Sequence, residues 1–228
     1  MYKSLVSAAL IAGSVAFAQA ADLPVKAPSM FSPVPVANWT GFYVGGFLSG
    51  VWGETDTFLS GGGAPITGKP SGFAAGITAG YDWQMPNSNW VFGGNIAAPF
   101  LTSVDDRVAD PVFPATVSHK LELNWALLFT GRVGYAYGNW LPYVGAGLAV
   151  AEGKGTFSSP TGVASDTQTH VGFTVLAGIR YWLAQNWWVA LQYNYVDLGS
   201  ETYTPPAHAS RTVGATSNSV AGIAAYRF

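Results

Sequence analysis

Between Trp39 and Phe228, apolar and polar positions alternate with a period of two. That is the period of a β-strand whose two faces meet different surroundings. The pattern predicts eight strands. The first, about Thr40 to Trp52, sets Phe42, Val44, Gly46, Leu48 and Trp52 on one face and Tyr43, Gly45, Phe47 and Ser49 on the other. The second, near Gly72 to Gln84, sets Phe73, Ala75, Ile77, Ala79, Tyr81 and Trp83 against Gly76, Thr78, Gly80, Asp82 and Gln84. The third, Trp90 to Phe100, presents Phe92, Ile96 and Phe100 outward and Asn95 inward. The fourth alternates from Leu121 to Tyr137, with Leu127, Phe129 and Val133 outward and Leu128, Thr130 and Arg132 inward. The fifth (Leu141 to Ala151), sixth (Thr169 to Trp182) and seventh (Trp187 to Asp197) place Val144, Val175 and Leu191 outward, and Arg180 and Gln192 inward. The eighth runs from Val220 to Phe228, with Tyr226 and Phe228 outward and Arg227 inward.

The connections alternate in length. Those near 53–71, 101–119, 152–168 and 198–211 are long and rich in Gly, Pro, Ser and Thr, whereas those near 85–89, 138–140 and 183–186 are short. Long connections at one end and short turns at the other characterise outer-membrane barrels, with the short turns in the periplasm. The fold expected is therefore all-β: an eight-stranded antiparallel transmembrane barrel over 39–228, both termini periplasmic. Trp39, Trp83, Trp90, Trp140, Trp182, Trp187 and Trp188 fall at the short-turn end and read as an interfacial girdle, with Trp52 and Trp125 at the other end. The face opposite the apolar one is mostly Gly, Ala, Thr and Asn, which suits a narrow lumen better than a solvent surface.

Composition agrees. Charged residues are 10% of the chain, against about 25% in a soluble domain, and mean hydropathy is +0.24. There is no Cys, and a net charge of −2 gives no footprint for nucleic acid. Lys3, the apolar run Leu5 to Phe17 and Ala18-Gln19-Ala20 read as a signal peptide over 1–20, cleaved before Ala21. Residues 21–38, with Pro24, Pro28, Pro33 and Pro35, read as an extended periplasmic leader, because Pro brings no ladder donor.

Several segments resemble one family. Asn38-Trp-Thr-Gly-Phe-Tyr-Val-Gly-Gly46 is similar to the opening strand of the small outer-membrane proteins of alphaproteobacteria, a porin-like, OmpA-type barrel family. The run Gly131 to Ala149 resembles its central hairpin, Asn186 to Gly199 its seventh strand, and Tyr226-Arg-Phe228 its ending. The resemblance implies an abundant envelope protein rather than an enzyme. The family's inward acids on the third, sixth and seventh strands are replaced here by Asn95, Arg180 and Gln192.

Candidate chemistry is sparse. Asp82, Arg132, Arg180 and Arg227 all point inward at the short-turn end. Buried charges need partners, so these four are expected to form a lumen charge network. Leu127, Phe129, Val175 and Leu191 are expected to face lipid, and Tyr226 and Phe228 to form the assembly signal. His119, His170 and His208 lie in or beside predicted loops, where imidazoles bind metal or haem iron but are more often solvated. Ser210 beside His208 has no third catalytic member, Gly61-Gly-Gly63 lacks the Lys of a phosphate loop, and Asp105, Asp106 and Asp110 read as solvated loop charge. No cofactor is expected. The expected partners are outer-membrane lipid, lipopolysaccharide and the barrel-assembly machinery, with a periplasmic contact through the leader. The expected role is structural, supporting the envelope and presenting surface loops. The alternatives are a narrow channel for small solutes and a surface binder of haemin or host components.

Overall fold

The computed structural model describes residues 38–59, 66–105, 108–109, 118–159, 162–204 and 210–228. The signal peptide, nearly all of the leader, His208, Gly61 to Gly63, Asp106 and Asp110 lie outside them.

The strands are β1 (Gly41–Leu59), β2 (Ile66–Gly68), β3 (Ser71–Gln84), β4 (Trp90–Asp105), β5 (Val108–Ala109), β6 (Ser118–Tyr135), β7 (Trp140–Ser159), β8 (Gly162–Ala184), β9 (Trp187–Tyr203) and β10 (Arg211–Arg227). The eight long strands pair antiparallel with their neighbours, and β10 returns to β1, so the sheet closes on itself. The short β2 and β5 lie on the loop-side extensions of β1 and β6.

Closure follows from the alternation. A lipid-facing strand must be apolar on one face, and its backbone polar groups must all be paired within the wall. The outward faces are indeed exposed and apolar, with Phe42 at 67%, Leu48 at 63% and Leu191 at 58% exposure, while Tyr43 beside Phe42 is at 1%. The turns are set by residues that accept left-handed backbone. Asn87 has φ 56° in the turn after β3, and Gly138 has φ 57° in the tight turn closed by Tyr137 and Trp140.

Two expectations are corrected. Among the described residues, the segments read as long loops are largely strand. β7 and β8 stay paired from Glu152↔Thr169 out to Ser159↔Gly162, and β9 and β10 from Asp197↔Thr216 out to Tyr203↔Arg211. Apolar alternation marks only the height of hydrocarbon. Above it, the ladder continues on Gly, Ser and Thr, because backbone pairing needs no apolar face in water. The second correction concerns tryptophan. Trp83, Trp90, Trp140 and Trp187 are outward and form aromatic pairs with Phe92, Tyr135, Tyr181 and Tyr226. Trp39, Trp182 and Trp188 are not part of that girdle. They are buried inside the barrel with Tyr43, Leu141 and Ala225.

Candidate functional site

The lumen is built in layers. At the floor, the rings of Trp39 and Trp182 meet at 5.0 Å, and the Arg227 guanidinium lies 4.9 Å over Trp182. Arg227 does not join the acid. Its Nη1 donates to the carbonyls of Asn38 and Thr40, the latter at 3.0 Å, so it ties β10 to the entry of β1. The expectation that Arg227 belongs to the charge network is corrected accordingly. Its side chain turns to the carbonyls at the entry of β1 rather than to a carboxylate.

Directly above, the structure brings Asp82, Arg132 and Arg180 together. Asp82 Oδ1 accepts from Arg132 Nε at 3.0 Å and Nη2 at 2.8 Å, and Oδ2 accepts from Arg180 Nη1 at 2.6 Å. Arg132 Nη2 also donates to the Tyr43 hydroxyl, and Nη1 to Asn95 Oδ1 at 3.2 Å. Arg180 is stacked 4.1 Å over Trp188 and lies about 5 Å from the rings of Tyr43 and Tyr143. The centre of the cluster is excluded from solvent: Arg180 is 1% exposed, Asp82 2% and Trp188 2%.

Among the described residues this cluster holds two guanidiniums and one carboxylate. The surplus cation is met by aromatic faces, each worth about 2 kcal/mol when desolvated. Room for the large groups comes from small neighbours on the adjoining strands. Asp82 sits opposite Gly93, which sits opposite Arg132; Tyr43 sits opposite Gly80. A Cβ on Gly93 would lie 2.0 Å from Asp82 Oδ1, and one on Gly80 would lie 2.3 Å from the Tyr43 hydroxyl.

A polar layer follows. Thr130 donates to Asn95 at 2.7 Å, Tyr143 to Gln192 at 2.7 Å, and Gln192 to Asn194 at 2.6 Å. Above it, the walls become small and apolar around a cavity of about 170 Å³. Near the loop end His170 is buried, with Nε2 2.8 Å from the Tyr203 hydroxyl. That contact corrects its reading as a loop residue and engages one of its two ring nitrogens. The side chains of His119, Glu122, Asn124 and Asp105 lie outside the described residues. Tyr203 has its hydroxyl pushed up to about 12, first by burial and then by the charges of Asp166 and Glu201.

Of the positions expected to face lipid, Phe129, Val175 and Leu191 are exposed on the outer surface. Leu127 is half-buried and borders the cavity, which the regular alternation does not foresee. Tyr226 and Phe228 point outward with ring centroids 5.3 Å apart. The tryptophan plug was missed by the sequence reading although its signal was present. Trp182 shares the parity of Arg180, and Trp188 that of Gln192.

The family model for the outer membrane protein beta-barrel domain matches residues 6–228. The chain belongs to this family. The 22 kDa outer membrane protein of Rhizobium leguminosarum bv. viciae is 32% identical over 184 residues, covering 81% of this chain and 72% of the relative. The 31 kDa outer-membrane immunogenic protein of Brucella melitensis biotype 1 is 28% identical over 214 residues, covering 86% and 88%. Among solved structures, the outer membrane protein OprG from Pseudomonas aeruginosa superposes with a TM-score of 0.56 at 16% identity, covering 84% of this chain and 97% of that one. This last likeness concerns the fold.

Proposed function

We propose that the protein is a structural, non-enzymatic component of the outer membrane. Its barrel packs against lipid and lipopolysaccharide, holds both termini in the periplasm and presents its extended hairpins outside. The observation that carries this reading is the plug. Asp82, Arg132 and Arg180, clasped between Tyr43, Tyr143 and Trp188 above Trp39, occupy the lumen where a solute would have to pass. An eight-stranded barrel has an interior just wide enough for side chains, so a plug of this size opposes flow. The outward Trp83, Trp90, Trp140 and Trp187 beside the short turns support a periplasmic position for that end. The description of the Brucella melitensis relative as immunogenic supports surface display of the hairpins. Tyr226 and Phe228, outward on the closing strand, fit a contact with the assembly machinery.

The test is conductance of the purified barrel in a planar bilayer. Small, rare steps or none are expected. Large, stable steps would favour the channel reading, for which the surplus guanidinium predicts a preference for anions.

A further inference from the structure

The charge of the plug does not close on itself. Arg132 and Arg180 share the one carboxylate of Asp82, and all three are buried. Both oxygens of Asp82 already accept from guanidinium N–H groups. Arg180 Nε is also buried and has no hydrogen-bond partner. The rings of Trp188, Tyr43 and Tyr143 attract the Arg180 cation, but they bring no negative charge. A surplus cation held away from water keeps a strong demand for a counter-charge.

The cavity of about 170 Å³ above the plug is the place where that counter-charge can stand. Arg132, Arg180 and Trp188 line it, and among the described residues no Asp, Glu or Lys does. Gln192 and Asn194 line it as well. Gln192 donates one amide hydrogen to Asn194, and Asn194 donates one to Ser219 at 3.2 Å. A carboxamide carries two such hydrogens, so each of these bonds uses half of what the group offers.

We infer that this cavity is a binding site for a small monovalent inorganic anion of chloride to nitrate size, which serves as the counter-charge of the plug. Arg180 and Arg132 form its cationic floor, and the amides of Gln192 and Asn194 stand beside it. The cavity has room for one such ion with several waters. One negative charge brings two guanidiniums and one carboxylate to neutrality. A divalent anion overshoots, and a cation meets its own sign. The site goes beyond a structural role, and it does not depend on whether the lumen conducts.

The probe is chloride, followed by its NMR linewidth with the full-length protein refolded in zwitterionic dodecylphosphocholine micelles. Saturable broadening above that of protein-free micelles is expected, with nitrate displacing the chloride. Ala221 lines the cavity opposite Gln192, which lies opposite Gly178, two residues along β8 from Arg180. Ala221→Asp therefore supplies an internal counter-charge and should weaken chloride binding about tenfold or more. Ala221→Asn, of nearly the same size but uncharged, should keep it. Asp82→Asn removes the competing carboxylate. It should bind chloride about tenfold more tightly and gain stability as chloride is raised. The aspartate and asparagine variants act in opposite directions, so a folding failure in one leaves the other. Broadening that does not saturate, or that is equal in wild type and folded Ala221→Asp, means water in the cavity and ions at the surface only, and overturns the site. Equal loss in Ala221→Asn and Ala221→Asp overturns it too, because volume rather than charge would then decide. Chloride binding in folded Asp82→Asn no tighter than in wild type overturns the part assigned to the surplus guanidinium.

Discussion

Strands β1 and β10 pair without interruption from Tyr43↔Arg227 to Leu59↔Arg211, whereas β4 and β6 pair only from Trp90↔Tyr135 to Ala97↔Leu128. The first seam joins the two ends of the barrel sequence, and the second joins strands that are neighbours in the wall. Regularity therefore does not follow nearness in the chain. It follows donors and side-chain size. The closing seam is lined by small residues that let the backbones meet. A Cβ on Gly45 would lie 2.5 Å from the Ala224 carbonyl oxygen and 2.5 Å from Ala225 Cβ. The shorter ladder carries Pro99 and a bulge. Below that level both seams stand on the plug and the tryptophan floor, so the short-turn half is filled and the other half has room.

The largest effect is expected from damage to the tight seam. Gly45→Leu pushes backbone against backbone, and the folded band on a gel run without heating should be lost altogether. A normal folded band would show that the seam tolerates width. Next comes the plug that supports both seams. Asp82→Ala leaves two buried guanidiniums without their acid, at a cost of about 3–5 kcal/mol. Urea unfolding in vesicles should show the loss, and the variant should conduct more than wild type. Unchanged stability would mean that water reaches the arginines.

A smaller effect separates the continuous wall from the end of the β4–β6 ladder. Val175→Arg places a charge on continuous lipid-facing wall and should cost about 2–4 kcal/mol in bilayer folding. Leu127→Arg should cost less, because Leu127 is half-buried beside the cavity, where the β4–β6 ladder ends. Equal costs would place Leu127 in closed wall.

These comparisons show what was legible in the sequence. The eight strands and their faces were readable because hydrocarbon enforces a period of two. Phe42, Phe129 and Leu191 are outward and Tyr43, Thr130 and Arg180 inward, as the pattern requires. Strand length was not readable. Beyond the membrane nothing demands an apolar face, so Gly153 to Ser159 look like loop and fold as strand. Trp39, Trp182 and Trp188 were misplaced because indoles suit both interfaces and lumens, and only parity with Arg180 and Gln192 tells them apart. Arg227 was grouped with Asp82 by charge, while its guanidinium bonds the carbonyls at the entry of β1 instead. The end of the β4–β6 ladder had one legible sign, Pro99 inside a predicted strand.

The smallest effect lies outside the membrane, where the β8–β9 extension is clasped by Asp166. Its carboxylate accepts from the amides of Thr204 and Thr167, each at 2.9 Å, and from Gln168. These bonds, the Thr204 amide first, hold its carboxyl below the usual carboxylate range. A depressed folded value means that the clasp contributes fully above the unfolded value of about 3.9 and is lost as pH falls through the folded one. Protection of the Thr204 amide, compared with Asp166→Asn at each pH, should therefore exceed the variant near neutrality and converge with it in acid. A constant difference down to the lowest pH would remove Asp166 from this role.

The contrast between the seams is tested most directly by residue-resolved amide exchange of the wild-type protein in lipid vesicles. The account predicts strong protection of β1 and β10 from Tyr43↔Arg227 upward and of β4 from Trp90 to Ala97. It predicts fast exchange of those amides of Ala98, Phe100, Leu101, Thr102, Ala126 and Leu127 that point across the β4–β6 seam beyond its last ladder pair. Equal protection on both sides of Ala97↔Leu128 would contradict it.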